Sequence, residues 1–130
     1  MDILDLKDEL ERQFGNTFKF HPKFYEEFVD LISGTGYERK IILQFLRRLR
    51  SIIELGNIDC GLKWLEKLKK HENMYSLHID ECSTNYRLLF SKVGERKYFL
   101  RMFYEKDRKK NTSYDLNVEI AIVRRDKDNE

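Results

Sequence analysis

With 130 residues, 41% of them hydrophobic and 13% aromatic, the chain has the length and apolar content for one domain with a sizeable core, and the 37% of charged residues decorate a folded protein instead of signalling disorder. The net charge of +2 conceals a bipolar distribution, with four basic against eight acidic residues over 1–35 and nine against three over 87–110. That pattern excludes a generally sticky polycation and allows an anionic ligand at one end. Cys60 and Cys82 are the only cysteines, with no Cys or His at metal-ligand spacing, so neither a disulfide framework nor a zinc site is expected. No apolar run approaches a membrane span, and no basic-then-apolar signal opens the chain. The expectation is a soluble, cytoplasmic protein that needs no metal and no cofactor and does not engage a membrane.

In chain order, Ile3, Leu6, Leu10 and Phe14 recur at three- and four-residue intervals and predict an amphipathic helix ending at Gly15. Thr17–Phe20 alternates and reads as a brief strand. Pro22 suits the first turn of a helix with Phe24, Phe28, Leu31 and Ile32 on one face, broken by Gly34-Thr35-Gly36. The stripe Ile41, Ile42, Phe45, Leu46, Leu49, Ile52 and Ile53 predicts a longer helix stopped by Gly56. Its other face carries Arg39, Lys40, Arg47, Arg48 and Arg50, a pattern usual for solvated surface. Residues 59–70 suggest a short helix or turn against a sheet edge.

From Met74 the period changes to two. Tyr75, Leu77 and Ile79 alternate with Ser76, His78 and Asp80, and turns at Cys82–Asn85 and Gly94-Glu95 separate two further strands, Tyr86–Ser91 and Lys97–Tyr104. Three strands joined by tight turns imply an antiparallel meander. Residues 115–126 read as a closing helix capped by Asp115, although the β-branched run there also permits a final strand. The expected class is α+β, with helices packed on one face of a small antiparallel sheet and an extra N-terminal helix.

Strand alternation directs Tyr86, Leu88 and Phe90 to the core and leaves Arg87, with His78 on the neighbouring strand, on an open face. Beside that face the sequence sets Arg101 and a basic rim of Lys106, Arg108, Lys109 and Lys110. Arginine offers a planar fork for two phosphate oxygens, so these parts suit a phosphodiester. If the substrate is RNA, its own 2′-hydroxyl can attack the phosphate without a metal. Fixed cations then stabilise the developing anion, and His78, Tyr114 or a rim lysine are candidates for moving protons. A lone strand histidine is also common as plain surface, and a lysine run as a solvated turn.

Taken together, Trp64-Leu65-Glu66-Lys67-Leu68-Lys69, Tyr75-Ser76-Leu77-His78-Ile79, Asn85-Tyr86-Arg87-Leu88-Leu89-Phe90 and Phe103-Tyr104-Glu105-Lys106, in that order after a short strand and two helices, resemble the RelE/ParE superfamily of type II toxins. Within it the chain is most similar to the HigB-like, phage-derived branch. The resemblance covers residues 17–126, leaving 1–16 as a helical extension and 127–130 as an acidic tail. It implies a microbial-RNase-like fold and cleavage of messenger RNA on the ribosome. A cognate antitoxin, typically a helix-turn-helix protein, would neutralise the activity. It also implies catalytic places for Arg87, His78 and Tyr114 and a cation at Lys106 or Arg108; with Lys106 counted as catalytic, Arg101, Arg108, Lys109 and Lys110 of the basic surface are expected to bind the substrate. Two other readings stand beside it: a ParE-like toxin that inhibits DNA gyrase by binding alone, and a regulatory module that binds nucleic acid without cutting it.

Overall fold

The chain forms α1 (Leu6–Phe14), β1 (Phe18–Phe20), α2 (Pro22–Ile32), α3 (Glu38–Leu55), β2 (Leu65–Lys67), β3 (Met74–Ile79), a 3₁₀ turn (Glu81–Ser83), β4 (Tyr86–Val93), β5 (Arg96–Tyr104) and α4 (Asn111–Asp128). These come from a computed structural model that describes residues 5–56, 62–71, 73–105 and 111–128. The α+β class read from the sequence is the one observed. The five strands stand in the order β1-β5-β4-β3-β2. β2 to β5 are antiparallel, as the short connections between successive strands permit, and β1 joins β5 in parallel, which makes the sheet mixed.

One face of the sheet carries the main core. Phe20, Phe24, Phe28, Phe45, Phe90 and Phe99 cluster there with ring centroids 4.9–6.5 Å apart, joining β1, α2, α3, β4 and β5. Offset and edge contacts of this kind add to the burial of the rings. α1 belongs to the same core, because Leu6, Leu10 and Phe14 are all buried in it. Its acidic residues Asp8 and Glu11 face outward, and Gln13 accepts from Arg50 of α3 at 2.9 Å. Gly56 closes α3 with a positive φ of 68°, a conformation in which a Cβ is strained.

Three expectations are corrected. Of the helix or turn expected over residues 59–70, the described part holds turns at 63–64 and 69–70 but between them the edge strand β2, whose Leu65 pairs with Leu77 and Lys67 with Tyr75. Only Leu65 of β2 is buried, so the segment has no periodicity to read; the open edge of β3 recruits it. The closing helix runs from Asn111, and Asp115 is an exposed residue inside it instead of its cap. Helices also cover both faces of the sheet. Val118 and Ala121 of α4 pack against Met74, Leu89, Tyr98, Leu100 and Phe103 on the face opposite the main core. Leu89, Tyr98 and Leu100 are apolar residues on alternate strand positions, and an exposed sheet face made of them would be costly. Among the described residues, no helix is long and apolar enough to cross a membrane.

The start of α2 makes stability depend on pH. His21 is its N-cap, and the imidazole Nδ1 accepts the Lys23 amide at 3.1 Å, which only the unprotonated ring can do. Burial lowers the pKa of His21 first, and Arg124 and Lys23 push the same way against Asp128 and Glu27. A folded-state pKa below the unfolded value of about 6.5 means the unfolded chain binds the proton more readily. The contribution is therefore complete above that unfolded value and is lost as pH falls towards the folded one. Urea unfolding between about pH 7.5 and about pH 5 should show the wild type losing about 1 kcal/mol more than His21→Asn, which caps without titrating. Equal losses would remove His21 as the titrating cap.

Candidate functional site

α4 roofs only part of the second sheet face, and beside it lies a groove of about 1010 Å³. Its lining comes from distant parts of the chain: Arg48 of α3, Trp64 and Glu66 at β2, His78 of β3, Arg87 of β4, Glu105 after β5, and Tyr114 and Asp115 of α4. Lys63, Lys69 and Lys70 stand on the same lining.

His78 and Arg87 are direct cross-strand partners in the β3–β4 register, so both side chains leave the sheet on one face. That much follows the sequence. The expectation of an open face does not hold: Arg87 is 8% exposed, and its Nε donates to Glu105 Oε2 at 2.6 Å. A buried guanidinium needs such a partner. Glu105 is itself held, since its amide donates to the Asn85 carbonyl at 2.9 Å and its carbonyl accepts from Asn85 Nδ2 at 2.7 Å. The ion pair engages Nε and leaves the two terminal nitrogens outside it.

His78 Nε2 stands 3.7 Å from Glu66 Oε2, and the His78 amide donates to the Trp64 carbonyl at 2.8 Å, which ties the β2 end of the groove to β3. Tyr114 enters from the first turns of α4 with its ring edge-on to Phe103, centroids 5.3 Å apart. Its hydroxyl is buried beside the Ser76 hydroxyl, and neither forms a well-aligned hydrogen bond among the described residues. Burial is the main cause pushing the phenol up to about 12; Glu66 and Glu105 push the same way, and Ser76 and Arg87 oppose them. At neutral pH Tyr114 is therefore a proton donor and not a phenolate.

The other residues expected at the site fall elsewhere. Arg101 does not line the groove. It donates to Glu27 and, through Nε, to Asn117 Oδ1 at 2.7 Å. Glu27 also accepts from Arg124 at 2.7 and 3.0 Å and from the Met102 amide at 3.1 Å, so Arg101 is part of a knot joining α2, β5 and α4. Lys106, Arg108, Lys109 and Lys110 lie outside the described residues.

Sequence reading missed several lining residues. Arg48 looked like one of a solvated basic set, yet it donates to the His78 carbonyl and, at 3.3 Å, to Asp80 Oδ1, with its guanidinium 5.1 Å from the Trp64 ring centroid. Burial lowers its pKa, with Asp80 and Glu81 opposing. A signal was present, because Ile41, Phe45, Arg48 and Ile52 fall on one helical stripe and the arginine interrupts it. Gln44, one turn earlier, accepts from the Asp80 and Glu81 amides at 3.1 Å and so fixes the rim of the groove. Glu66 and Glu105 carried no such signal, since only the assembled sheet brings them to His78 and Arg87. The arrangement offers anchored cations, two carboxylates and a phenolic donor around one concavity, parts that can bind an anion and move protons beside it. No family model, curated protein or solved structure matches the chain.

Proposed function

We propose that this chain is the toxin of a type II toxin–antitoxin pair, an endoribonuclease that cuts messenger RNA on the ribosome in the groove around Arg87. The observation that supports this most is convergence. A strand arginine, a histidine on the neighbouring strand and a tyrosine from the last helix line one groove, although nine and 27 residues separate them along the chain. A protein that only occupies the surface of a topoisomerase has no use for that convergence. The ribosome as the place of action and a helix-turn-helix antitoxin as neutralising partner come from the family resemblance, and the cytoplasm as compartment from the cysteine usage and the sequence pattern.

In this reading the terminal nitrogens of Arg87 hold the non-bridging oxygens of the scissile phosphate. His78, with the Glu66 carboxylate beside it, takes the proton of the 2′-hydroxyl, and that oxygen attacks the adjacent phosphorus. The bond to the 5′-oxygen breaks, and Tyr114 supplies the proton the leaving oxygen requires. The products are a 2′,3′-cyclic phosphate and a free 5′-hydroxyl, after which solvent returns the proton to Tyr114 and removes the one on His78. Lys106 and the rest of the basic rim would add attraction for the RNA backbone.

The test is to express the chain from a tight promoter and map message ends in translating and translation-blocked extracts, beside Tyr114→Phe. Codon-phased cuts with cyclic-phosphate ends, slowed by about 10²–10⁴-fold in the variant, are expected. Toxicity with intact messages and damaged DNA would overturn the proposal in favour of gyrase inhibition. Affinity for RNA with neither cleavage nor toxicity would point to a binding module.

A further inference from the structure

We propose that the chain forms a two-fold dimer through the outer face of α4, with the helix antiparallel to its copy. α4 is apolar on two sides. Val118 and Ala121 are buried against the sheet, whereas Leu116 and Val123 on the outer side are 58% and 52% exposed, the highest values among the described large hydrophobics. Leu116, Ile120, Val123 and Lys127 are spaced by four, three and four residues, the spacing of a helix-pairing seam with a lysine at its end. Nothing in the fold of one chain requires that second seam.

The seam borders a hollow of about 630 Å³ that it shares with His21 and Lys23 at the start of α2. A ridge of side chains from another helix would fill such a hollow. The charges on its lining select the occupant. Glu119 lies in the N-terminal half of the seam, and Lys127, with Lys23 across the hollow, marks its other end. Among the described residues, none of these three makes an ion pair within the chain.

A rotation of 180° about an axis crossing α4 near Val123 brings Val123 against its own copy. It also moves Glu119 of each copy towards Lys127 and Lys23 of the other. Glu119 and Lys127 are about 12 Å apart along the helix, so both pairings form together only when the helices run in opposite directions. A parallel pair would instead set Glu119 beside Glu119. The face thus carries its own complement, which is what an isologous interface requires.

Sedimentation equilibrium over about a hundredfold range of concentration tests this. The wild-type mass should rise towards twice the 15.9 kDa of the chain. Glu119→Lys and Lys127→Glu should each raise the dimer dissociation constant by about tenfold or more, and the double variant should recover part of that loss, because positions 119 and 127 again attract while the new cation at 119 still meets Lys23. Both positions are exposed, so circular dichroism should show an unaltered fold in all variants. A wild type that stays monomeric throughout, a dimer indifferent to both single changes, or a double variant no better than the singles would each overturn the proposal.

Discussion

Arg87→Ala is expected to lower RNA cleavage by about 10²–10³-fold, the usual loss when one preorganised electrostatic group is removed from a developing anion. The guanidinium is positioned before substrate arrives. β4 sets its direction opposite His78, Glu105 takes its Nε, and Asn85 holds Glu105 from both its amide and its carbonyl. Alanine removes the phosphate fork and also leaves a largely covered carboxylate without its partner, which costs stability by about 1–3 kcal/mol. The two effects separate by experiment. Arg87→Lys keeps a positive charge near Glu105 but loses the planar fork, so its unfolding midpoint should lie near the wild type while its cleavage rate stays far below. Glu105→Gln removes the counter-charge and should shift binding and stability more than the chemical step. Single-turnover cleavage and urea unfolding on the same samples decide the matter. An Arg87→Ala protein that is folded and cuts at the wild-type rate would take Arg87 out of the mechanism.

Glu27→Ala should be the most damaging change of a charged residue outside the groove, with a loss of about 3–5 kcal/mol. One carboxylate serves three donors there: Arg101, Arg124 and the Met102 amide. The side chains are 17%, 24% and 13% exposed for Glu27, Arg101 and Arg124, so solvent compensates poorly when the anion is removed. Two guanidinium groups would then face each other unneutralised, and the strand edge that α2 protects beyond β1 would lose its acceptor. Glu27→Gln retains an acceptor for the Met102 amide without the charge and should lose less, about 1–3 kcal/mol. Thermal and urea unfolding measure both. A loss below about 1 kcal/mol for alanine would class the knot with ordinary surface ion pairs. Because the knot lies outside the groove, residual folded Glu27→Gln should cleave at the wild-type rate per molecule.

How much was legible in advance differs by element. α1, α2 and α3 follow from apolar stripes with period 3.6 and from their punctuation by Gly15, Pro22 and Gly56, all local properties. The meander follows from period-two alternation and two short turns. β2 escaped because a three-residue edge strand has no period of its own and exists only through β3. α4 was found with its start misplaced, and its location on the second face was not found at all. Its apolar residues point both ways, so the pattern along the helix does not tell which side meets the sheet.

The site divides along the same line. That His78 and Arg87 share a face was determined by the sequence, since alternation in paired strands leaves side chains no other choice. Tyr114 was a candidate from its chemistry and from the resemblance, but its chemical state was not predictable, because a phenol shifts only when burial and neighbouring charges act on it. Arg101 and Arg48 exchanged places: the first resembled a ligand arginine and is tied into Glu27, while the second resembled solvated surface and lines the groove. The sequence by itself determined the class of fold, the run of most elements and the shared face of His78 and Arg87; their direct pairing is a matter of strand register. Only the tertiary structure decided that Arg87 is buried and bound to Glu105, that α4 closes the second face, and which arginine meets the groove. The physical reason is that periodicity records each residue's position relative to its own backbone. Ion pairs, desolvation and concavities depend on which segments lie across from one another, and that is set by packing between residues far apart in the chain.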